Sequence, residues 1–376
     1  MRPDTERALA EEIRAADGPL HIVGGGTRGF NVPGVKLFTG GLSGIELYEP
    51  GAMTLVVQAG TPLAEVEAVL SAEGQRLAFE PMDHRGMLGT DGAPTIGGVV
   101  AANVSGPRRI QVGACRDFLL GIRFVDGQGR VVKNGGRVMK NVTGYDLVKL
   151  MAGSFGTLGV MTELSLKVMP QARSMGTLIG EGLGDVRAVQ ALSAALGAPY
   201  DVSGAAHVQG GQTLIRLEGF EASVAYRAKA LQALLAPFGV WTLNMEGADL
   251  WRDIRDVTAL TGPGDIWRVS VKPSDGPGLV AAVPGGRAVY DWGGGLVWLC
   301  VPEGSDLRAV LGSLCGHATL IRADAATKAR LGVFHPQPEP LARIEAGLRA
   351  QFDPRGLFNP GLMAGSRGCG SMEMAG

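Results

Sequence analysis

The sequence predicts an α+β protein in two parts, with a C-terminal segment that returns to the first part. Three observations point there. The chain has 376 residues, long enough that two domains are expected. Up to about Ala172, short apolar runs are joined by Pro-Gly and Asp-Gly turns, the pattern of paired strands. Beyond it, longer helical stretches alternate with strands, the pattern of a sheet covered by helices.

Residues 5–16 read as a charged amphipathic helix and Leu20–Val23 as a short apolar strand. Ile45–Glu49 and Thr54–Gln58 read as strands paired around Pro50-Gly51. AGTPLAEVEAVLSAEG reads as a helix: Thr61 caps it, Pro62 takes the first helical position and Gly74 closes it. Val66, Val69 and Leu70 supply its buried stripe. Leu119–Val125 and residues 130–133 form a hairpin across Asp126-Gly127-Gln128-Gly129. Next come a short helix over 145–151, a glycine turn over 153–159 and a strand over 160–168 that Pro170 ends. In the second part, helices are predicted over Asp185–Leu196 and 222–235, and strands over 214–218 and 267–272. AVYDWGGGLVWLCV is a hairpin turning at Gly293-Gly294-Gly295. Residues 336–352 form a helix, DPRGLFNPG follows, and 364–376 read as a disordered tail.

The stretch LHIVGGGTRGF raises the first functional question. Gly24, Gly26 and Gly29 fit G-x-G-x-x-G, the spacing of a dinucleotide-binding turn. Backbone N–H groups cradle a phosphate, and glycine lets the chain approach and bend with φ > 0. A Rossmann unit would also open a helix at the last glycine. Here Pro33 and Gly34 stand where that helix should run, although Glu46 lies at the distance a ribose acid would occupy. A glycine loop for a flavin pyrophosphate is therefore favoured over a nicotinamide turn, with a plain tight turn as the remaining reading. Thr95–Arg109, TIGGVVAANVSGPRR, is built from small residues, which suits close approach of backbone to a flat ligand.

Composition narrows the classes. Net charge is −1, which gives no electrostatic case for nucleic acid. No apolar run reaches the length of a membrane span, and the charged N-terminus is not a signal peptide. The 59 glycines, roughly twice average usage, sit in separate turns. Cys115, Cys300, Cys315 and Cys369 are far apart with no C-x-x-C, so no metal or iron–sulfur site is expected in this chain, and a cytoplasmic setting fits.

The set GGGTRG, AGTPLAEVE, TIGGVVAAN, GPRR, VGACRDFLLG, MKNVTGYDLVKLMAGSFGTLGVMTELSLKV and FDPRGLFNPG resembles the vanillyl-alcohol oxidase or p-cresol methylhydroxylase flavoprotein superfamily. Within it, the chain is similar to the FAD-binding subunits of bacterial glycolate oxidases, the smaller of two related flavin subunits. KNVTGYDL and DWGG with a following VWL carry that narrower resemblance. The resemblance implies a p-cresol methylhydroxylase-type two-part FAD-binding domain over 1–172, a cap domain over 173–330 and a C-terminal return segment over 331–363. It implies a pyrophosphate loop at Gly24, Gly25, Gly26, Thr27 and Arg28. It implies a flavin lining at Thr95, Gly97, Gly98, Ala101 and Ala102, with contacts from Gly113, Asp117, Gly159, Val160 and Asn359. Thr27 holds the place where some relatives carry a flavin-linking histidine, so FAD is expected to be non-covalent.

Oxidising a 2-hydroxy acid needs a cation for the carboxylate, a base for the hydroxyl proton and a flavin to take the hydride. Arg108 and Arg109 are candidate carboxylate binders, with a surface or phosphate-neutralising pair as the plain alternative. His317 and His84 are the candidate bases; His21 reads as packing, and His207 and His335 as structural. Relatives that oxidise hydroxy acids carry H-x-G-D-G-N-x-H, and CGHATLIRADAATKAR in that region has one histidine and no second. Three readings follow. The chain is a subunit of a glycolate-oxidising complex with a related larger FAD subunit and an iron–sulfur subunit, reaching the inner membrane only through partners. Alternatively it is a free-standing D-lactate-type dehydrogenase, or a non-catalytic scaffold of the same fold.

Overall fold

The computed structural model describes residues 1–137, 144–312 and 314–363. Part of the KNVTGYDL motif, Cys369 and the predicted tail lie outside them. Two antiparallel sheets organise the chain, as the α+β class requires. The first has five strands in the order Ile45–Glu49, Thr54–Gln58, Val160–Lys167, Leu119–Val125, Val131–Gly135. The second has eight, in the order Trp241–Asn244, Ser174–Gly180, Thr213–Gly219, Val202–Val208, Arg287–Asp291, Leu296–Val301, Asp265–Val271, Gly316–Arg322. Leu20–Val23 and Val35–Phe38 form a separate parallel pair.

The first sheet is covered on both faces, which is why Thr54–Gln58 reads as a continuous apolar run. Helix Glu6–Ala15 lays Leu9 and Ile13 against Val125 and Val160. Helix Leu63–Ala72 lays Leu63, Val66 and Leu70 against Leu55, Val57 and Leu164. Burial of each such side chain stabilises by about 1.5–3 kcal/mol. The start of that second helix differs from the expectation. Pro62 is its N-cap, and the Thr61 hydroxyl accepts from the Gly44 N–H and donates to the Gln58 carbonyl, tying the preceding strands together instead. Pro170 also differs: Met169–Pro170 continues into a short pair with Gln75–Arg76.

Helices Asp185–Leu196 and Glu221–Leu235 cover one face of the second sheet through Ala188, Leu192, Val224 and Leu231. Its other face turns Ala206, Leu214, Val289 and Trp298 into the same core as the first sheet. The two sheets are pinned by a buried ion network. Arg108 Nε and Nη2 donate to the Glu218 carboxylate at 2.8 Å each, and Arg216 Nη1 and Nη2 donate to Glu80 at 2.8 Å each. Arg76 also reaches Glu218 at 2.7 Å, and Arg108 reaches Glu80 at 2.9 Å. Burial alone would raise the Glu218 carboxyl, but the guanidiniums of Arg108, Arg216 and Arg76 hold it well below the usual range.

The C-terminal helix Glu339–Phe352 leads into the return. Phe358 bridges to Leu20, and Asn359 Oδ1 accepts from the Ile22 N–H at 2.8 Å while its Nδ2 donates to the Phe155 carbonyl at 2.9 Å.

Candidate functional site

The glycine loop leaves the end of strand Leu20–Val23 and lines a cleft of about 240 Å³. Among the described residues, no protein acceptor pairs with the backbone N–H groups of Gly25, Gly26, Thr27, Arg28 or Gly29. Five successive free donors beside a cleft are an anion cradle, because a backbone N–H without a partner costs free energy until a ligand or water supplies one. Gly26 and Gly29 take φ +72° and +60°, and no helix opens after Gly29, which removes the Rossmann geometry.

Several glycines are held by the protein's own packing. A Cβ on Gly25 would stand 1.7 Å from the Ala93 carbonyl oxygen, and one on Gly97 would stand 2.6 Å from that of Ala59. One on Gly159 would meet the Phe124 ring at 2.7 Å. The small residues thus let three chain segments touch, and that contact shapes the cleft. TIGGVV folds as the helix Ile96–Ala101, with the Thr95 hydroxyl accepting from the Gly98 N–H.

Of the residues expected at the flavin, the loop Gly24 to Arg28, Thr95, Gly97, Gly98, Ala101, Ala102, Gly159, Val160 and Asn359 all line the cleft. Gly113 and Asp117 do not. Asp117 accepts from the Ala114 N–H at 2.9 Å and closes a local turn against Gly113. His21, expected to serve packing, is half-buried and lines the cleft.

A second cavity of about 550 Å³ adjoins the cleft and shares Arg28, Phe30, Met82, His84, Ala102 and Phe155 with it. Together they fall in the size range of ligand sites, roughly 300–1,000 Å³. The catalytic candidates fare differently here. Arg108 is excluded as a carboxylate binder, since it is buried and engaged by Glu218 and Glu80. Arg109 does line the cavity, its guanidinium 4.1 Å from the Trp292 ring centroid. His84 Nε2 accepts from Arg28 Nη1 at 3.3 Å, with Nδ1 donating to the Met82 carbonyl at 3.3 Å. Burial, with Arg28 beside it, drives its imidazole well below the usual histidine range. With both nitrogens engaged, His84 is a poor base. His317 stands on an edge strand at the cavity wall, exposed, its ring 5.8 Å from that of His335. His335, expected to be structural, lines the same cavity; burial, Arg308 and His317 lower its pKa.

Two cavity residues escaped the sequence reading. Arg268 lies 5.2 Å from the Trp292 ring and 6.0 Å from the Trp298 ring. Trp292 itself takes φ +52°, its N–H donating to Asp291 Oδ1 and its Nε1 to the Gly106 carbonyl. The signal was present: Arg268 is the lone charge inside the apolar run IWRVSV, and a charge there calls for a partner or a ligand. Among the described residues, no cluster of three or more His, Cys, Asp or Glu could hold a metal.

A free-donor loop, a small-residue wall and a returning C-terminal segment surround one cleft, and the FAD binding domain family matches residues 1–135. The protein is an FAD-binding oxidoreductase subunit by fold and kinship. It is 37% identical to glycolate oxidase subunit GlcE of Escherichia coli (strain K12), over 96% of this chain and 97% of that one, and it belongs to that family. A D-lactate dehydrogenase of Archaeoglobus fulgidus is 33% identical over 43% of this chain and 35% of its own length. The fold is shared with alkyldihydroxyacetonephosphate synthase at TM-score 0.68 and 14% identity, covering 96% of this chain and 76% of that one. No helix among the described residues is long and apolar enough to cross a membrane.

Proposed function

We propose that this chain is the FAD-binding subunit of a complex that oxidises glycolate, a 2-hydroxy acid, to glyoxylate. The observation that carries the reading is the run of five unpaired N–H donors, Gly25 to Gly29, in the chain's FAD-family region. In this reading residues 1–172 bind FAD, 173–330 form the cap and 331–363 close the cleft. The break between the two sheets, after Lys167 and before Ser174, supports that division.

When bound, FAD supplies the acceptor for the hydride from the hydroxyl-bearing carbon. The loop N–H groups of Gly25 to Gly29 would hold the pyrophosphate. Thr95, Gly98, Ala101, Ala102, Val160 and Asn359, which line the same cleft, would hold the flavin. Asn359 fixes strand Leu20–Val23 and Phe155 against each other, so the cleft keeps its width. Arg109 supplies positive charge for the acid.

The cavity offers no base comparable to these binding groups: His84 is engaged, and His317 and His335 stand together near the C-terminal segment. That favours a subunit whose turnover depends on partners, a related larger FAD chain and an iron–sulfur chain that accepts the electrons. We place that complex in the cytoplasm, meeting the inner membrane only through those partners. The test is reconstitution. The purified chain should hold dissociable FAD yet reduce dye poorly with glycolate until the partners are added. Full glycolate turnover by the lone chain would replace this reading with a free-standing dehydrogenase, and absence of flavin at every stage would leave a scaffold.

A further inference from the structure

The second cavity carries an unbalanced charge. Arg28, Arg109, Arg116 and Arg268 line it against one acid, Glu345; Arg116 lies 3.9 Å from Asp117, while Arg28, Arg109 and Arg268 have no carboxylate within 4 Å among the described residues. Arg28 belongs to the wall shared with the flavin cleft and donates to His84. That leaves Arg109 and Arg268, brought from the two halves of the fold onto one indole, Trp292. Each repels the other: burial lowers the Arg268 guanidinium to about 10, with Arg109 adding to the effect. Asp291, whose charge reaches Arg268, is buried and directed to the Trp292 N–H, and Asp117, whose charge reaches Arg109, accepts from the Ala114 N–H. Trp292 is held in a left-handed backbone conformation between that bond and its Nε1–Gly106 bond, so the platform under both cations is fixed.

A guanidinium is a planar fork that grips one carboxylate bidentately. Two such forks over one indole, neither with a carboxylate within 4 Å among the described residues, match two carboxylates better than one. We infer that Arg109 and Arg268, mounted on Trp292, form a site for a small dicarboxylate, such as a 2-hydroxy acid with a second acidic group or its oxidised product. This rests on the functional reading only for the flavin next door; the anion site stands on the arginines themselves.

The experiment uses the full chain loaded with FAD, with flavin content measured first. Malonate and tartronate are titrated against acetate, glycolate and sulfate, followed by tryptophan fluorescence and by flavin difference absorbance. The dicarboxylates should bind at least about tenfold more tightly than acetate and glycolate, one added charge-assisted contact being worth that much. R268Q and R109Q should each erase the preference, while R268K, which keeps charge and stacking but loses the fork, should retain only part of it. Equal affinity for mono- and dicarboxylates, or sulfate binding as tightly as malonate, overturns the inference. So does an unchanged preference in R268Q that still binds FAD. Loss of flavin from the wild-type chain would instead count against the functional reading.

Discussion

Replacing Asp291 with asparagine should make the protein less sensitive to rising pH. Asp291 is 3% exposed and precedes Trp292, whose N–H it accepts. Burial pushes its carboxyl up from 3.8 to about 7, despite the Trp292 N–H, Arg216 and Arg268, which favour the charged form. A carboxyl with a raised folded pKa contributes its full stability below the unfolded value and loses it as pH climbs through the folded one. The loss is about 1.5 kcal/mol at pH 5 and about 4 kcal/mol at pH 8, at 1.36 kcal/mol for each pKa unit. An asparagine there would still accept from the Trp292 N–H but never ionise. The stability of D291N relative to wild type should therefore rise by about 2.5 kcal/mol between pH 5 and pH 8. Urea unfolding of both proteins at the two pH values reads this directly, since every other titrating group cancels in the difference. Parallel pH dependence of the two proteins would refute the reasoning, because Asp291 would then be ionised in the fold at ordinary cost.

Other consequences follow from the same geometry. E218Q removes the carboxylate shared by Arg108 and Arg76 and leaves buried cations without a partner; it should cost about 3–5 kcal/mol in thermal or urea unfolding, and a loss under about 1 kcal/mol would contradict the clamp. G25A should abolish FAD binding, since its Cβ would stand 1.7 Å from the Ala93 carbonyl oxygen. G86A, where a Cβ meets nothing within 4 Å, should bind normally; flavin content after purification checks both. Acid precipitation should leave the yellow colour in the supernatant, because Thr27 holds no nucleophilic nitrogen; colour in the pellet would show a covalent link.

What the sequence made legible was local. Leu20–Val23, Ile45–Glu49 and Thr54–Gln58 are short apolar runs with clear turn residues, and they fold where expected. The glycine loop stood out because its spacing is local, with Gly24, Gly26 and Gly29 inside one short stretch. Arg108 looked free within GPRR because its partner Glu218 lies 110 residues away, on a strand of the second sheet. Arg268 and Trp292 meet Arg109 only after the eight-stranded sheet closes over the first part, so no spacing in the sequence records the group. Gly97 and Gly159 looked like ligand contacts and are packing contacts as well, since the same absence of a side chain serves both. His335 was missed because its neighbour, His317, is on a strand while it lies in the segment after helix Ala325–Leu331.

The central claim is that the free N–H groups of Gly25 to Gly29 hold the FAD pyrophosphate. Equilibrium titration of the flavin-free full chain with FAD and with riboflavin tests it most directly. FAD should bind at least about 100-fold more tightly, because riboflavin lacks the phosphates that the donors would engage. Equal affinity for the two, or no binding of FAD, would contradict it.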